Sequence, residues 1–405
     1  MSLKTTGTVK LRRVLSLPWL VFYGVGVTIG AGIFALIGEI LSIAGDHAPW
    51  AFLVAGVVAG FTAFSYAALS SAYPRAAGEV LYVKHGFGDG MARAVGYGLI
   101  VTALMSGAVI SLAFARYVSS FAGLPEPVVL LGVVAALSLV AIAGVRESVG
   151  FAAIVTVLEV GTLVAVVAVG LPPAVQSGLI WTSLAPPLDP ALWTGVLSGG
   201  FLAFFAFIGF ENIVNMAEET DDAATVVPKA VIWTLVISVA VYALVAAVAA
   251  SYPDRAALIA SKAPLAVLFE GATGQSGAVI AMMASIAMVN GILVQIMMGS
   301  RVLYGMANEG MVPRALGWVH PVRQTPIVGI LALAFTIALL ALTVPLLQLA
   351  ELTSLIILVI FTLVNTSLFV LGRREGAPEK LRRWRWWGLA GAAISLALVI
   401  SEILP

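Results

Sequence analysis

The sequence contains no cysteine and only three histidines in 405 residues. The lack of cysteine excludes disulfide bonds, thiolate metal sites and cysteine nucleophiles. His47, His85 and His320 are too few and too widely spaced for a histidine-based metal centre. The motifs GxxxxGK[ST], HExxH and GxSxG are also absent, so no nucleotide-binding loop or common hydrolase signature is present. We therefore expect neither an enzyme nor a bound cofactor or metal.

Charge is equally scarce. Charged residues make up 10% of the chain, apolar residues 61%, and the mean hydropathy is +1.08. Soluble domains carry about 25% charged residues. Most of the surface must therefore face lipid, and membrane lipid is an expected partner.

Apolar stretches of membrane-spanning length recur along the chain between charged residues, prolines and glycines. A helix needs roughly 20 apolar residues to cross the hydrocarbon core. The pattern predicts eleven spans, at residues 17–44, 49–72, 91–120, 127–143, 148–170, 192–217, 229–250, 276–305, 326–343, 346–371 and 385–403. The first follows a basic tail (residues 1–16) but lacks a small-residue cleavage site, which indicates a retained span rather than a signal peptide.

The lysines and arginines predict the orientation. If the N-terminus is cytoplasmic, all but three of the 21 fall on the cytoplasmic side, the exceptions being Arg116, Arg255 and Lys262. Basic residues concentrate in cytoplasmic loops. The pattern predicts an inner-membrane protein with its N-terminus inside and its C-terminus outside. The tryptophans among the arginines of 382–387 indicate an interfacial aromatic belt rather than nucleic-acid binding.

The first span carries four glycines within nine residues, at Gly24, Gly26, Gly30 and Gly32. One interpretation is close helix packing through Gly26 and Gly30. The other is a break in the helix at the membrane midplane. A break frees N–H groups that attract a carboxylate and carbonyl groups that attract an ammonium, so an amino acid zwitterion fits both ends.

The sixth span contains a second candidate interruption. An aromatic cluster (204–207) precedes Gly209 and then Glu211, inside an apolar stretch. Spans 1 and 6 begin two five-span halves, 17–170 and 192–371, with one additional span at 385–403. Interrupted segments at matching positions of two halves point to a transporter site. Glu211 follows the interruption, where it could cap the outer half-helix or line the access path.

Four segments resemble the amino acid–polyamine–organocation superfamily of permeases. They are the glycine-rich Gly26–Phe34, Tyr73–Tyr82 after span 2, Phe204–Glu211 with Val227-Pro-Lys229, and Ser300–Pro313 with Thr325-Pro326. The resemblance implies an all-α, five-plus-five inverted-repeat fold of the LeuT type with broken helices 1 and 6. That family usually has twelve spans, so the dimer contacts and the oligomeric state stay open.

The resemblance also implies which residues hold the substrate. The backbone N–H groups of Ala31, Gly32 and Ile33 would bind the carboxylate, with Gly30 leaving room for its approach. Carbonyl groups near Val27 and Thr28, and near Phe204 and Phe207, would bind the amine. Gly209 would belong to the same substrate site. Phe205 matches the aromatic gate over the substrate.

Glu159 lies in the middle of span 5, where a charge costs about 2.5–3.5 kcal/mol on insertion scales. At the corresponding position, relatives often carry a lysine where sodium-coupled members hold a cation. Glu159 is therefore expected to titrate a proton or bind a cation; the alternative is a neutral acid hydrogen-bonded to a neighbouring helix. Asn290 in span 8 could meet Glu159 or a bound cation, or join two helices.

We expect a secondary active transporter of amino acids, small neutral or hydrophobic, working by alternating access. Proton symport is favoured, with sodium as the other coupling ion. A polyamine, amine or cationic amino acid transporter or exchanger is the alternative. A ligand sensor on the same fold and an intramembrane enzyme are the remaining alternatives; a sensor would be expected to carry large soluble extensions.

Overall fold

The computed structural model describes residues 15–74, 78–144, 149–308 and 310–403. The basic residues of 1–14, together with Arg75 and Arg146, lie outside this part of the chain. The described residues are almost entirely helical. The helices are α1 Leu17–Ile29, α2 Ala31–Ala44, α3 Ala48–Ala72, α4 Gly78–Phe87, α5 Asp89–Ala122, α6 Glu126–Ala143, α7 Val149–Gln176, α8 Leu179–Leu184, α9 Leu192–Ala203, α10 Ala223–Ala250, α11 Arg255–Ala260, α12 Pro264–Thr273, α13 Ala278–Asn308, α14 Ile327–Thr343, α15 Leu346–Gly372 and α16 Glu379–Ile403.

The all-α, polytopic fold class is confirmed. Within the described residues, nine helical segments are long and apolar enough to cross a membrane. The apolar helices α1 and α14 are shorter, and α2 and α3 are joined through a short 3-10 turn into one of the nine segments. The count of eleven spans and the five-plus-five repeat stay predictions.

Two helices contain prolines that the sequence pattern places at their ends, and a third begins before its predicted start. The fifth predicted span was ended at residue 170, but α7 continues through Pro172 and Pro173. The seventh was begun at Lys229, but α10 starts six residues earlier and contains Pro228. The last was begun at Arg385, but α16 starts at Glu379. Membrane helices tolerate proline because neighbouring groups satisfy the freed backbone carbonyl.

The three cations that the sequence places outside each form an ion pair. Arg116 lies 4.0 Å from Glu39, and Lys262 lies 2.5 Å from Glu126. Arg255 pairs with Asp46. All six residues come from segments that the predicted topology assigns to the same side of the membrane. The pairs are therefore the contacts expected from the predicted alternation of the loops, whichever side is cytoplasmic.

Contacts at the opposite end of the bundle also join segments that the predicted topology places on one side of the membrane. Tyr97 donates to the carbonyl of Met311 at 2.7 Å. Arg374 donates to the carbonyl of Gly86 at 3.3 Å. In addition, Leu15 forms a parallel backbone bridge with Thr220. Each contact joins segments that the predicted topology places at the cytoplasmic end of the bundle, with Tyr97 in the first two turns of the third span.

Candidate substrate and coupling site

The first helix is interrupted at Gly30. The α-helical conformation ends at Ile29, Gly30 has φ −32° and ψ −138°, and α2 begins at Ala31. The first N–H groups of a helix have no intrahelical partner, and neither do its last carbonyls. Ala31, Gly32 and Ile33 therefore offer N–H groups, and Val27 and Thr28 offer carbonyls, at one point in the chain.

The sixth predicted span is interrupted by a longer irregular segment. Helix α9 tightens into a 3-10 turn at Phe204–Phe207 and continues through an extended Ile208. Gly209 has φ +137°, a conformation that favours glycine. A second 3-10 segment, Phe210–Glu219, follows. The helix is thus broken at Ile208 and Gly209, between two 3-10 segments.

The two interruptions lie directly against each other. A Cβ atom added to Gly209 would lie 2.7 Å from the carbonyl oxygen of Val27 and 3.1 Å from the Cα of Thr28. A Cβ atom added to Gly32 would lie 2.6 Å from the Cα of Ala206. Backbone meets backbone at both points, which only glycine allows. The structure therefore brings together the segments that the sequence singled out.

Tyr242 of α10 bridges the two interrupted helices. Its buried hydroxyl lies 2.7 Å from the carbonyl oxygen of Thr28 and 2.9 Å from that of Ala206. One O–H group donates to both carbonyls, and its ring packs edge-on against Phe207 at 5.1 Å between centroids. The tyrosine thus fixes the distance between the two backbone segments.

The three phenylalanines of the 3-10 turn are all buried but have different neighbours. The Phe204 ring packs against Phe361, and the Phe207 ring packs against Tyr242. No ring contact involves Phe205 among the described residues. Two of the three rings are held by aromatic partners, so Phe205 is the one best placed to move.

Glu159 is almost fully buried on α7, with 1% of its surface exposed. Neither of its carboxyl oxygens has a hydrogen-bond partner in the described part of the chain. The carboxyl group is close enough to Tyr242 for the two to interact electrostatically. One turn earlier, the hydroxyl of Thr156 faces Gly26, where a Cβ atom would collide with it. Glu159 therefore faces the first interrupted helix.

Other polar atoms near the interruptions share this lack of partners. Within the described residues, the side-chain oxygens of Thr28, Ser238 and Asn290 are buried without a hydrogen bond. Ser238 precedes Tyr242 by one turn of α10. A Cβ atom added to Gly291, next to Asn290, would lie 3.2 Å from Ile110 and 4.0 Å from the Cβ of Ala31. The structure shows no hydrogen bond between Asn290 and Glu159, so a direct meeting of the two is not seen.

Two further carboxyl groups, of Glu211 and Glu79, are buried. The N–H of Gly209 donates to Glu211 at 2.8 Å, and the hydroxyl of Tyr66 donates to Glu79 at 3.1 Å. Glu211 thus caps the 3-10 segment that follows Gly209. Under the predicted topology the sixth span runs inward, so this segment would be the inner rather than the outer half of the span. Burial raises the pKa of the Glu79 carboxyl, on α4 outside the spans.

Sequence reasoning missed Tyr242, Tyr66 and Glu79 as parts of this region. Tyr242 had a detectable signal, because Thr234, Ser238 and Tyr242 recur every four residues on one face of an apolar helix. Glu79 lay inside the Tyr73–Tyr82 motif but carried no separate signal. Its burial depends on a tertiary contact with Tyr66.

Comparison with known proteins identifies the group to which this arrangement belongs. The model of the amino acid permease family matches residues 14–405. The chain belongs to the amino acid permease family. This permease is therefore an amino acid transporter of the amino acid–polyamine–organocation superfamily and a multi-pass membrane protein, not an enzyme.

Three relatives illustrate the range of the family. The permease is 29% identical to the branched-chain amino acid permease BcaP of Bacillus subtilis, over 98% of this chain and 89% of that protein. It is 33% identical to an uncharacterized transporter of Mycobacterium tuberculosis, over 97% and 88%. It is also 29% identical to the vacuolar cationic amino acid transporter 4 of Arabidopsis thaliana, over 91% and 65%.

Proposed function

We propose that this permease binds a neutral, branched-chain amino acid as a zwitterion between the two interruptions. The observation that carries the proposal is the direct contact of Gly32 with Ala206 and of Gly209 with Val27 and Thr28. At that contact the N-terminus of α2 lies close to the carbonyl groups of Val27 and Thr28, of which that of Thr28 also accepts a hydrogen bond from Tyr242. The charged ends of an amino acid need both.

In this proposal the substrate carboxylate binds the N–H groups of Ala31, Gly32 and Ile33. The positive end of the α2 dipole adds to these hydrogen bonds. The ammonium group binds carbonyl oxygens of the Val27–Thr28 segment and of the 3-10 turn at Phe204–Phe207. Phe205 closes over the bound molecule from the side where it has no aromatic neighbour.

A neutral side chain is favoured by the residues around the interruptions, because rings and aliphatic groups surround them. The branched-chain permeases among the relatives point the same way. Cationic amino acids are the second candidate, supported by the unpartnered carboxyl group of Glu159 and by the plant relatives. A lysine or arginine substrate would use that carboxyl group as its partner.

We further propose that Glu159 couples transport to protons. An ionised carboxylate with no partner is costly at membrane depth. In the proposed cycle, Glu159 is neutral while the site is closed and releases its proton when water reaches it. The alternative is coupling to sodium, bound by Glu159 and Thr28. Transport driven by a proton gradient or by a sodium gradient distinguishes the two.

The proposed frame for this cycle is the LeuT-type five-plus-five repeat with alternating access in the cytoplasmic membrane. The N-terminus is inside and the C-terminus outside. The orientation is supported by the one-sided distribution of lysine and arginine. The three ion pairs of Arg116, Arg255 and Lys262 support the alternation of the loops.

The test is uptake of radiolabelled leucine into proteoliposomes containing the purified permease. We expect accumulation driven by an inward proton gradient, without a sodium requirement, and competition by isoleucine and valine. Strong competition by lysine or putrescine, with no leucine uptake, would replace the neutral substrate by a cationic one. Accumulation driven only by sodium would replace the coupling ion.

A further inference from the structure

A cavity lies where α3, α10 and α16 meet. It has a volume of about 320 Å³, at the lower end of the roughly 300–1,000 Å³ typical of small-molecule pockets. The residues that define it are Phe64, Ser71, Lys229, Trp233, Lys380 and Trp384. It adjoins the C-terminal end of α3 and the N-terminal ends of α10 and α16, on the predicted cytoplasmic side.

The charged residues that line this cavity are all positive. Two lysines line it and no acidic residue does. Neither Lys229 nor Lys380 forms an ion pair within the described residues. Lys380 is held in place because its ammonium group donates to the hydroxyl of Ser71 at 2.8 Å. Two unneutralised ammonium groups at one cavity favour an anion.

The rest of the cavity wall is apolar and open to the bundle exterior. Trp233 is 55% exposed and Phe64 is 36% exposed. Trp384 stacks on Phe64 with 5.9 Å between the ring centroids. Tryptophan is enriched where a membrane protein meets the headgroups. A cationic end beside an apolar, membrane-facing wall fits a molecule with an anionic head and an apolar chain.

We propose that this cavity, defined by Lys229, Lys380, Trp233 and Trp384, binds the headgroup of an anionic phospholipid of the cytoplasmic leaflet. The phosphate lies between the two lysines, and one acyl chain follows the exposed faces of Trp233 and Phe64. Residues 1–14 of the chain are a poor alternative occupant, because they carry Lys4, Lys10, Arg12 and Arg13 and would be repelled.

The test compares two double variants of equal charge in the full-length protein. Lys229→Gln with Lys380→Gln removes both cations of the cavity. Arg323→Gln with Arg382→Gln removes two exposed cations from the same side of the membrane but outside the cavity. Both pairs weaken general attraction to an anionic surface equally, so only a specific site separates them.

The measurement is thermal stabilisation of the detergent-purified permease, titrated with phosphatidylglycerol, phosphatidylcholine or soluble glycerol 3-phosphate. We expect stabilisation by phosphatidylglycerol alone. The half-saturating concentration should rise at least about 100-fold in the cavity variant, since two charge-assisted hydrogen bonds to the phosphate are lost, each worth roughly 1.5 kcal/mol or more. The arginine variant should shift far less, because it loses only general attraction to the anionic surface.

Three results would overturn the proposal. An equal shift in both double variants would reduce the effect to general surface charge. Equal stabilisation by glycerol 3-phosphate would assign the cavity to a free phosphate. Loss of dimers on size-exclusion chromatography in the cavity variant, without a change in the lipid titration, would assign it to a second copy of the chain. Size-exclusion profiles also show that each variant is folded.

Discussion

The hydroxyl of Tyr242 donates to the carbonyl oxygen of Thr28 at 2.7 Å, and the same hydroxyl reaches the carbonyl of Ala206 at 2.9 Å. A single buried side chain thus joins the two interrupted backbone segments between which we place the substrate. It also interacts electrostatically with the Glu159 carboxyl, without a hydrogen bond between them. The geometry links the proposed binding site to the proposed coupling group.

Tyr242→Phe tests this link. The substitution keeps the ring but removes the donor from two buried carbonyls, at a cost of about 1–3 kcal/mol. We expect the affinity for leucine to fall about tenfold or more, measured by equilibrium binding. Tyr117→Phe is the matched control, because it removes a buried hydroxyl that donates to the Phe34 carbonyl at 3.1 Å. Equal effects of the two variants would leave Tyr242 with a purely structural role.

Gly30→Val tests carboxylate binding at the start of α2. A Cβ atom at Gly30 would meet nothing closer than 3.7 Å, so the side chain would extend into the space proposed for the substrate. We expect normal membrane insertion and loss of leucine binding. Gly132→Val, at another position without near neighbours, serves as the control. Wild-type affinity in Gly30→Val would refute this placement of the carboxylate.

Gly32 is less suitable for the same experiment. Its added Cβ would strike the backbone of Ala206 at 2.6 Å, so any side chain would push the two interruptions apart. A loss of binding in Gly32→Val would therefore not separate substrate exclusion from altered packing.

Phe205→Ala tests the aromatic gate. Phe205 has no ring partner in the described part of the chain, whereas Phe204 and Phe207 pack on Phe361 and Tyr242. We expect Phe205→Ala to lower leucine transport strongly, and Phe205→Tyr to keep part of the activity. Phe204→Ala is the matched control, because both rings are buried and both truncations should lower stability by about 3–5 kcal/mol, but only that of Phe205 should remove the gate. Normal transport by Phe205→Ala would place the gate elsewhere.

Glu79→Gln tests the buried carboxyl group next to Tyr66. Because burial raises the pKa of Glu79 in the folded state, the folded protein binds its proton more tightly than the unfolded chain does. The resulting stability is present below the unfolded pKa of about 4.3 and is lost as the pH rises towards the folded pKa. Glutamine keeps an oxygen that accepts from Tyr66 but cannot ionise.

Thermal unfolding between acidic and neutral pH measures this effect. The wild type should lose more stability over that range than Glu79→Gln. The exposed Glu375→Gln should follow the wild type. The buried carboxyl group of Glu211 interacts electrostatically with Glu79, so the difference between the two profiles reports the pair of carboxyl groups. Identical pH profiles for wild type and Glu79→Gln would contradict an ionisable role for this carboxyl group.

The sequence predicted the interruptions well, because glycine clusters and a charged residue inside an apolar stretch are local signals. Gly30 and Gly209 both lie where the helices break. It did not predict Tyr242, whose role depends on the distance between α10 and two other helices. Pro172 and Pro228 did not mark helix ends. In a membrane protein, neighbouring groups can satisfy the backbone carbonyl that loses its hydrogen bond to the proline nitrogen. The short helices between the spans, such as α12, also carried no clear pattern.

The most direct test of the account is proton-driven leucine accumulation by Glu159→Gln in proteoliposomes. Glutamine preserves the size and polarity of the side chain but cannot titrate. The account predicts normal folding and leucine binding, no accumulation under a proton gradient, and counterflow exchange that no longer depends on pH. Full gradient-driven accumulation by Glu159→Gln, with unchanged pH and sodium responses, would contradict it.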